Sequence, residues 1–90
     1  MSDVNDTLKQ RGEVYGDYKG GSALRAITMD AIESRYEATH GKPMELIHKA
    51  YIYDIVNKLS RLAVTPDHED TWLDIAGYAT LVRGALNEKS

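Results

Sequence analysis

The sequence predicts an all-α protein, a small helical bundle of three long helices plus a short N-terminal helix, built on an antiparallel helical hairpin. Three observations carry that prediction. Apolar residues recur at helical spacing over two long segments, about 43–62 and 67–86. Only Ala63 to Pro66 separates those segments, so the second helix must run back beside the first. Gly12, Gly41, Pro43 and Pro66 stand where helices stop or restart. A chain of 90 residues makes one domain, with residues 1–21 as N-terminal helix and Gly/Tyr-rich loop and 22–90 as helical core.

In chain order, Met1 to Gly12 reads as a short helix capped by Ser2 or Asp3, with Val4 and Leu8 on its apolar stripe and Gly12 as its stop. A piece so short is marginal alone and must dock. Glu13 to Gly21, E-V-Y-G-D-Y-K-G-G, has three glycines in six residues, which predicts a loop rather than a regular element. Two readings fit it: an ordered connector, or a ligand-facing loop in which Tyr15 or Tyr18 stacks on a planar group, Lys19 lies near phosphate and Asp17 takes part. Gly20, Gly21 and Ser22 ahead of a helix also offer backbone N–H groups to an anion.

The second helix is expected from Ser22 as N-cap to near His40, with Gly41 past its end. Leu24, Ile27, Ala31 and Ile32 form its apolar stripe, and Arg25, Asp30, Glu33 and Glu37 its polar side. Glu33 and Glu37, one turn apart, have the spacing to share a divalent cation or to form a solvated acidic face. The third helix starts at Pro43 and carries Met44, Ile47, Tyr51, Ile55, Leu59 and Leu62 on one stripe, widened by Leu46, Ala50, Tyr53 and Val56. So broad an apolar surface belongs at the centre of a bundle or in a subunit interface. The fourth helix takes Thr65 or Asp67 as its cap and buries Trp72, Ile75, Ala76, Ala79, Val82 and Leu86. Gly77 within it points to a crossing backbone or a ligand pressed close.

Through the hairpin runs a polar line. Asp54, Asn57, Lys58 and Arg61 fall at i, i+3, i+4 and i+7 and share a face; Asp70 and Asp74 are one turn apart on the next helix, and Lys58 falls within reach of both. Charges on a mostly buried helix must be paired, so this line is either a network fixing helix register or a site.

Composition narrows the function. Net charge is −3, which argues against sequence-independent binding of a nucleic-acid polymer. There is no Cys, which fits a cytosolic protein, and no apolar run long enough for a membrane span. Six Tyr and no Phe supply the aromatic surface, a bias of wet surfaces and binding sites.

Asn57-Lys58-Leu59-Ser60-Arg61-Leu62, then His68-Glu69-Asp70-Thr71-Trp72-Leu73-Asp74-Ile75-Ala76-Gly77-Tyr78, together with Tyr15-Gly16-Asp17, resembles the small phage-encoded helical domains described as nucleotide-modification-associated or MazG-like. The resemblance runs over residues 8–86. It implies an all-α fold, a homo-oligomer, a bacteriophage source with action in the cytoplasm of the infected bacterial host, and a nucleotide-type ligand. All-α nucleotide pyrophosphatases carry E-x-x-E on one helix and E-x-x-D on the next to hold magnesium. Here the first helix offers Glu33 and Glu37 four apart, and Thr71 stands three residues before Asp74.

Two functional readings follow. In the first, Tyr15, Asp17, Tyr18, Lys19, Arg25, Lys58 and Arg61 bind a nucleotide without cleaving it and without a cofactor, as a sponge for a cyclic-nucleotide or ADP-ribose-type immune signal would. In the alternative, Asp54, Asp70 and Asp74 act in a Mg²⁺-dependent pyrophosphohydrolase, the metal held by Glu33, Glu37, Asp70 and Asp74, with Lys58 and Arg61 on the phosphates. The incomplete carboxylate set favours the first.

Overall fold

A computed structural model of the protein describes residues 3–88. Four helices follow one another: α1 (Asp3–Tyr15), α2 (Tyr18–His40), α3 (Leu46–Leu62) and α4 (Glu69–Asn87). Among the described residues there are no strands, and the protein is a small all-α bundle. Helix α3 is its axis, for α4, α2 and α1 each pack on it. Of the two caps expected for α1, Ser2 lies outside the described residues.

The Gly/Tyr-rich stretch departs most from its expected form. It is not a loop: α1 continues through Gly12 to Tyr15, and α2 begins at Tyr18, leaving only Gly16 and Asp17 between them. Gly16 is the stop that Gly12 was expected to be. It lies at φ 84°, and its N–H bonds to the Gly12 carbonyl at 2.9 Å, closing α1 in the left-handed manner. A side chain there would also collide, because a Cβ on Gly16 would stand 2.7 Å from Val64 Cγ2. Asp17, not Ser22, caps α2: its backbone is extended and its Oδ2 accepts from the Gly20 N–H at 2.7 Å. Glycine at position 20 leaves room for that carboxylate, since a Cβ would lie 2.8 Å from Asp17 Oδ1. A side-chain cap thus outweighs the low helix propensity of Gly20 and Gly21. Ser22 instead accepts from Arg25 Nη2 at 2.9 Å.

Gly41 ends α2 as expected, at φ 70°. Helix α3 starts at Leu46, three residues after Pro43, because residues 42–45 carry Met44 into the core before the helix can begin. It ends at Leu62 as read. The following break extends to His68, which is the N-cap of α4 in place of Thr65 or Asp67. His68 Nδ1 and Thr71 Oγ1 share a hydrogen bond of 2.8 Å, so the buried Thr71 hydroxyl, on a residue 2% exposed, is satisfied. Thr65 Oγ1 donates to the Val14 carbonyl and ties this break to the end of α1.

Burial corrects the helix faces. In α2 it is Met29, flanked by Thr28, Ile32 and Tyr36, that turns inward, while Leu24, Ile27 and Ala31 are exposed. In α3 Val56 and Leu62 are buried and Tyr51 and Ile55 half-buried, but Ile47 and Leu59 face outward. The inward stripe of α4 is Thr71, Ile75, Tyr78, Val82 and Ala85, turned by about one residue from the expected one. Trp72 stays outside because its indole N–H donates to the Pro66 carbonyl at 2.8 Å, which holds the ring against the break rather than under the helix. A Cβ built on Gly77 would meet no other part of the chain within 4 Å among the described residues, so no crossing backbone accounts for this glycine.

The fold is open. Its radius of gyration is 15.7 Å, against about 12 Å for a compact chain of this length. It measures 49 × 27 × 26 Å, and no helix among the described residues is long and apolar enough to cross a membrane.

Candidate functional site

The tight turn at Gly16 and Asp17 joins α1 to α2, and both helices pack on α3. Between the three helices lies a groove of about 500 Å³. Helix α1 contributes Leu8, Arg11 and Tyr15 to it; the start of α2 contributes Tyr18 and Arg25; α3 contributes Asn57, Ser60 and Arg61. Gly12, Gly16, Asp17 and Gly21 complete the wall, and a smaller recess of about 190 Å³ beyond the turn shares Tyr15, Gly16, Asp17, Gly21 and Ser60 with it.

Tyr15 is the hub. The Arg61 guanidinium lies 4.4 Å from its ring centroid and that of Arg11 5.4 Å, both within cation–π range, and the His68 ring meets it edge-on at 5.7 Å. Arg25 lies 5.8 Å from the Tyr18 ring, which is largely exposed. Aromatic stacking thus fixes where the guanidiniums sit without neutralising them. Among the described residues, Arg11, Arg25 and Arg61 form no ion pair. Among the described residues the one carboxylate lining the groove, Asp17, is occupied by the cap of α2. The first turn of α2 also borders the groove through Tyr18 and Gly21, adding the positive end of a helix dipole.

Of the residues the sequence puts forward as ligand-binding, the structure brings Tyr15, Asp17, Tyr18, Arg25 and Arg61 together on this groove. Lys19 is exposed and does not line it. Lys58 is held on the other side of α3: it is 9% exposed, pairs with Asp74 Oδ2 at 3.0 Å and stands 5.9 Å from the Tyr78 ring. The polar line along α3 is therefore split, with Asn57 and Arg61 turned to the groove and Lys58 to α4. The expected reach of Lys58 to both acids resolves to Asp74 alone.

The acids of the alternative reading are not gathered. Glu33 pairs with Lys49 at 2.9 Å, Asp74 with Lys58, and Glu37, Asp54 and Asp70 are exposed. No three His, Asp or Glu side chains among the described residues stand where they could hold one metal ion. Sequence reasoning missed Arg11 and Ser60 as groove residues, and placed Asn57 on the polar line of α3 without giving it a ligand. Arg11 precedes Tyr15 by one helical turn, and that i, i+4 relation was the available signal.

The family model of DUF6378, a domain of unknown function, matches residues 3–85. No curated protein and no solved structure matches the chain.

Proposed function

We propose that this chain, which belongs to the DUF6378 family, binds a phosphate-bearing, nucleotide-type small molecule in the groove between α1, α2 and α3 and holds it without cleaving it. The observation that carries the reading is the convergence of Arg11, Arg25 and Arg61 on one groove with no carboxylate partner among the described residues. Like charges held together oppose folding rather than favour it. A polyanion between them turns that repulsion into forked, charge-assisted hydrogen bonds, the task for which arginine geometry is suited. Tyr15 and Tyr18 supply faces for a planar base, and the volume falls in the range of small-molecule sites.

A ligand with two phosphates and one or two flat rings matches this set of groups. Nucleoside diphosphates, cyclic dinucleotides and ADP-ribose-type molecules belong to that class, so the groove suits a sponge for a nucleotide signal. The phage setting and the homo-oligomer implied by the resemblance are part of the same proposal. Retention rather than turnover is supported by the way the acids are spent: Asp17 on a cap, Glu33 on Lys49 and Asp74 on Lys58.

The test is thermal melting of the full chain with a panel of nucleoside triphosphates, diphosphates, cyclic dinucleotides and ADP-ribose, with Mg²⁺, followed by chromatography of the ligand. At about 100 times Kd a ligand adds about 2.7 kcal/mol, which for a chain of this size raises the melting temperature by roughly 10 °C or more. The reading expects such a shift, intact ligand on recovery, and a shift largely lost in Arg61→Ala. Monophosphate and pyrophosphate in the recovered ligand would instead establish the hydrolase, and no shift with any member would remove the nucleotide.

A further inference from the structure

We propose that the groove continues past Arg25 into a base subsite, a recess between α2 and α3 in which the Glu33–Lys49 pair reads the edge of a guanine ring. This rests on the nucleotide reading above and names the base that reading leaves open. The recess has a volume of about 420 Å³, and Arg25 lines both it and the arginine groove. The two are stages of one furrow.

Register makes the furrow straight. Glu33 Oε1 meets Lys49 Nζ at 2.9 Å across the two helices. Steps of four residues back along α2 give Met29, Arg25 and Gly21, and the same steps forward along α3 give Tyr53, Asn57 and Arg61. Met29 and Tyr53 share the recess; Arg25 and Asn57, then Gly21 and Arg61, share the groove. Four-residue steps keep each line on one face of its helix. At about 1.5 Å per residue the furrow runs about 18 Å from Gly21 to Glu33, and Arg25 stands about 12 Å along the axis from the charged pair. A nucleotide lying along it therefore puts its phosphates at Arg25 and Arg61 when its base edge reaches Glu33 and Lys49.

The recess suits a flat ring. Ala26 and Ala50 are short and exposed, so each helix leaves space there. Buried Met29 gives an apolar floor, and Tyr53, 44% exposed, adds an aromatic side chain. The charged pair at the end keeps capacity for a ligand. Lys49 engages Glu33 through Oε1, whereas a carboxylate accepts at about four positions and an ammonium donates three hydrogens. Guanine presents two adjacent donors, N1–H and N2–H, beside the O6 acceptor. The donors match a carboxylate and O6 matches an ammonium. Adenine, with one donor beside one acceptor, reaches the pair by fewer bonds. Tyr18 in the groove stays available to the second ring of a two-ring ligand.

Titration calorimetry of the full chain with guanosine, inosine and adenosine diphosphates tests the proposal. The guanosine compound should bind roughly tenfold more tightly than the adenosine one, the discrimination of one good bidentate contact. The inosine compound, which lacks the 2-amino donor, should fall between them, an order that needs no variant. The double variant Glu33→Ala, Lys49→Ala keeps the net charge and removes a half-exposed pair. It should keep its helical circular dichroism and lose the preference for guanine, whereas Arg61→Ala should weaken all three and leave the preference in place. Equal affinity for the guanosine and adenosine compounds, both weakened by Arg61→Ala, would overturn the base subsite and leave the phosphate groove standing. A guanine preference that survives the double variant would put the base elsewhere and also overturn it. No binding of any of the three would remove the groove reading and this one with it.

Discussion

Gly16 is the hinge on which the groove depends, and its replacement by alanine has a cost that can be worked out from the structure. At φ 84° an L side chain sits in the left-handed region, which costs about 1–2 kcal/mol. The new Cβ would stand 2.7 Å from Val64 Cγ2, so Val64 must move. Val64 is half exposed and can turn away, which puts this overpacking at the low end of its range, about 1 kcal/mol. Alanine stiffens the unfolded chain and returns about 0.5 kcal/mol. The net loss is about 2 kcal/mol, or roughly 8–16 °C in melting temperature. Gly41 is the internal control: its φ is 70°, and nothing lies within 4 Å of a Cβ built there. Gly41→Ala should therefore cost only the backbone part, about 1 kcal/mol. The assay is urea unfolding of both variants and of Gly16→Ala combined with Val64→Ala, where the Gly16 penalty should fall to that of Gly41. If Gly16→Ala costs no more than Gly41→Ala, the contact between the turn and Val64 has no energetic weight and the reasoning fails.

The remaining predictions concern the neighbours of that turn and the hairpin. Asp17→Ala removes the α2 cap and should lower stability by about 1 kcal/mol, while Asp17→Asn, which can still accept from the Gly20 N–H, should fall within a few tenths; urea midpoints decide between them. Asp74→Asn leaves the buried Lys58 without its carboxylate. Because Asp74 is half exposed and its charge is screened, the loss should be about 1 kcal/mol rather than the larger value of a fully buried pair. The same substitution should leave ligand affinity unchanged by calorimetry, and a collapse of binding would show that the Lys58 pair belongs to the site after all.

The hairpin of α3 and α4 and the approach of Lys58 to the turn bearing Asp70 and Asp74 were legible because both follow from spacing: a short break fixes the antiparallel course, and i, i+4 periodicity fixes the level, though not which of the two acids pairs. Gly41 was legible because a glycine after an amphipathic run has one common use. The start of α2 was not. Three glycines in six residues read as a loop, and only the Asp17 carboxylate reaching the Gly20 N–H turns them into a first helical turn. The face of α4 was misjudged because Trp72 counts as apolar by composition, whereas its indole N–H needs an acceptor and finds one at Pro66 outside the core. Thr71, polar by composition, takes the buried place because His68 satisfies its hydroxyl. In the candidate groove, Tyr15, Tyr18, Arg25 and Arg61 could be named from residue type and position. Arg11 carried only its place one helical turn before Tyr15 as a signal, because which face of α1 meets α3 is decided by docking and not by the helix itself.

The central claim is that Arg11, Arg25 and Arg61, which form no ion pair among the described residues, make this groove a phosphate site, and the most direct measurement is titration calorimetry of the full chain with adenosine, AMP and ADP in low and high salt. Affinity should rise at each added phosphate, by tenfold or more over the series, since a charge-assisted hydrogen bond contributes about 1.5–3 kcal/mol. It should also fall as salt is raised. Equal affinity for adenosine and ADP, or binding of ADP indifferent to salt and to Arg61→Ala, would contradict the account.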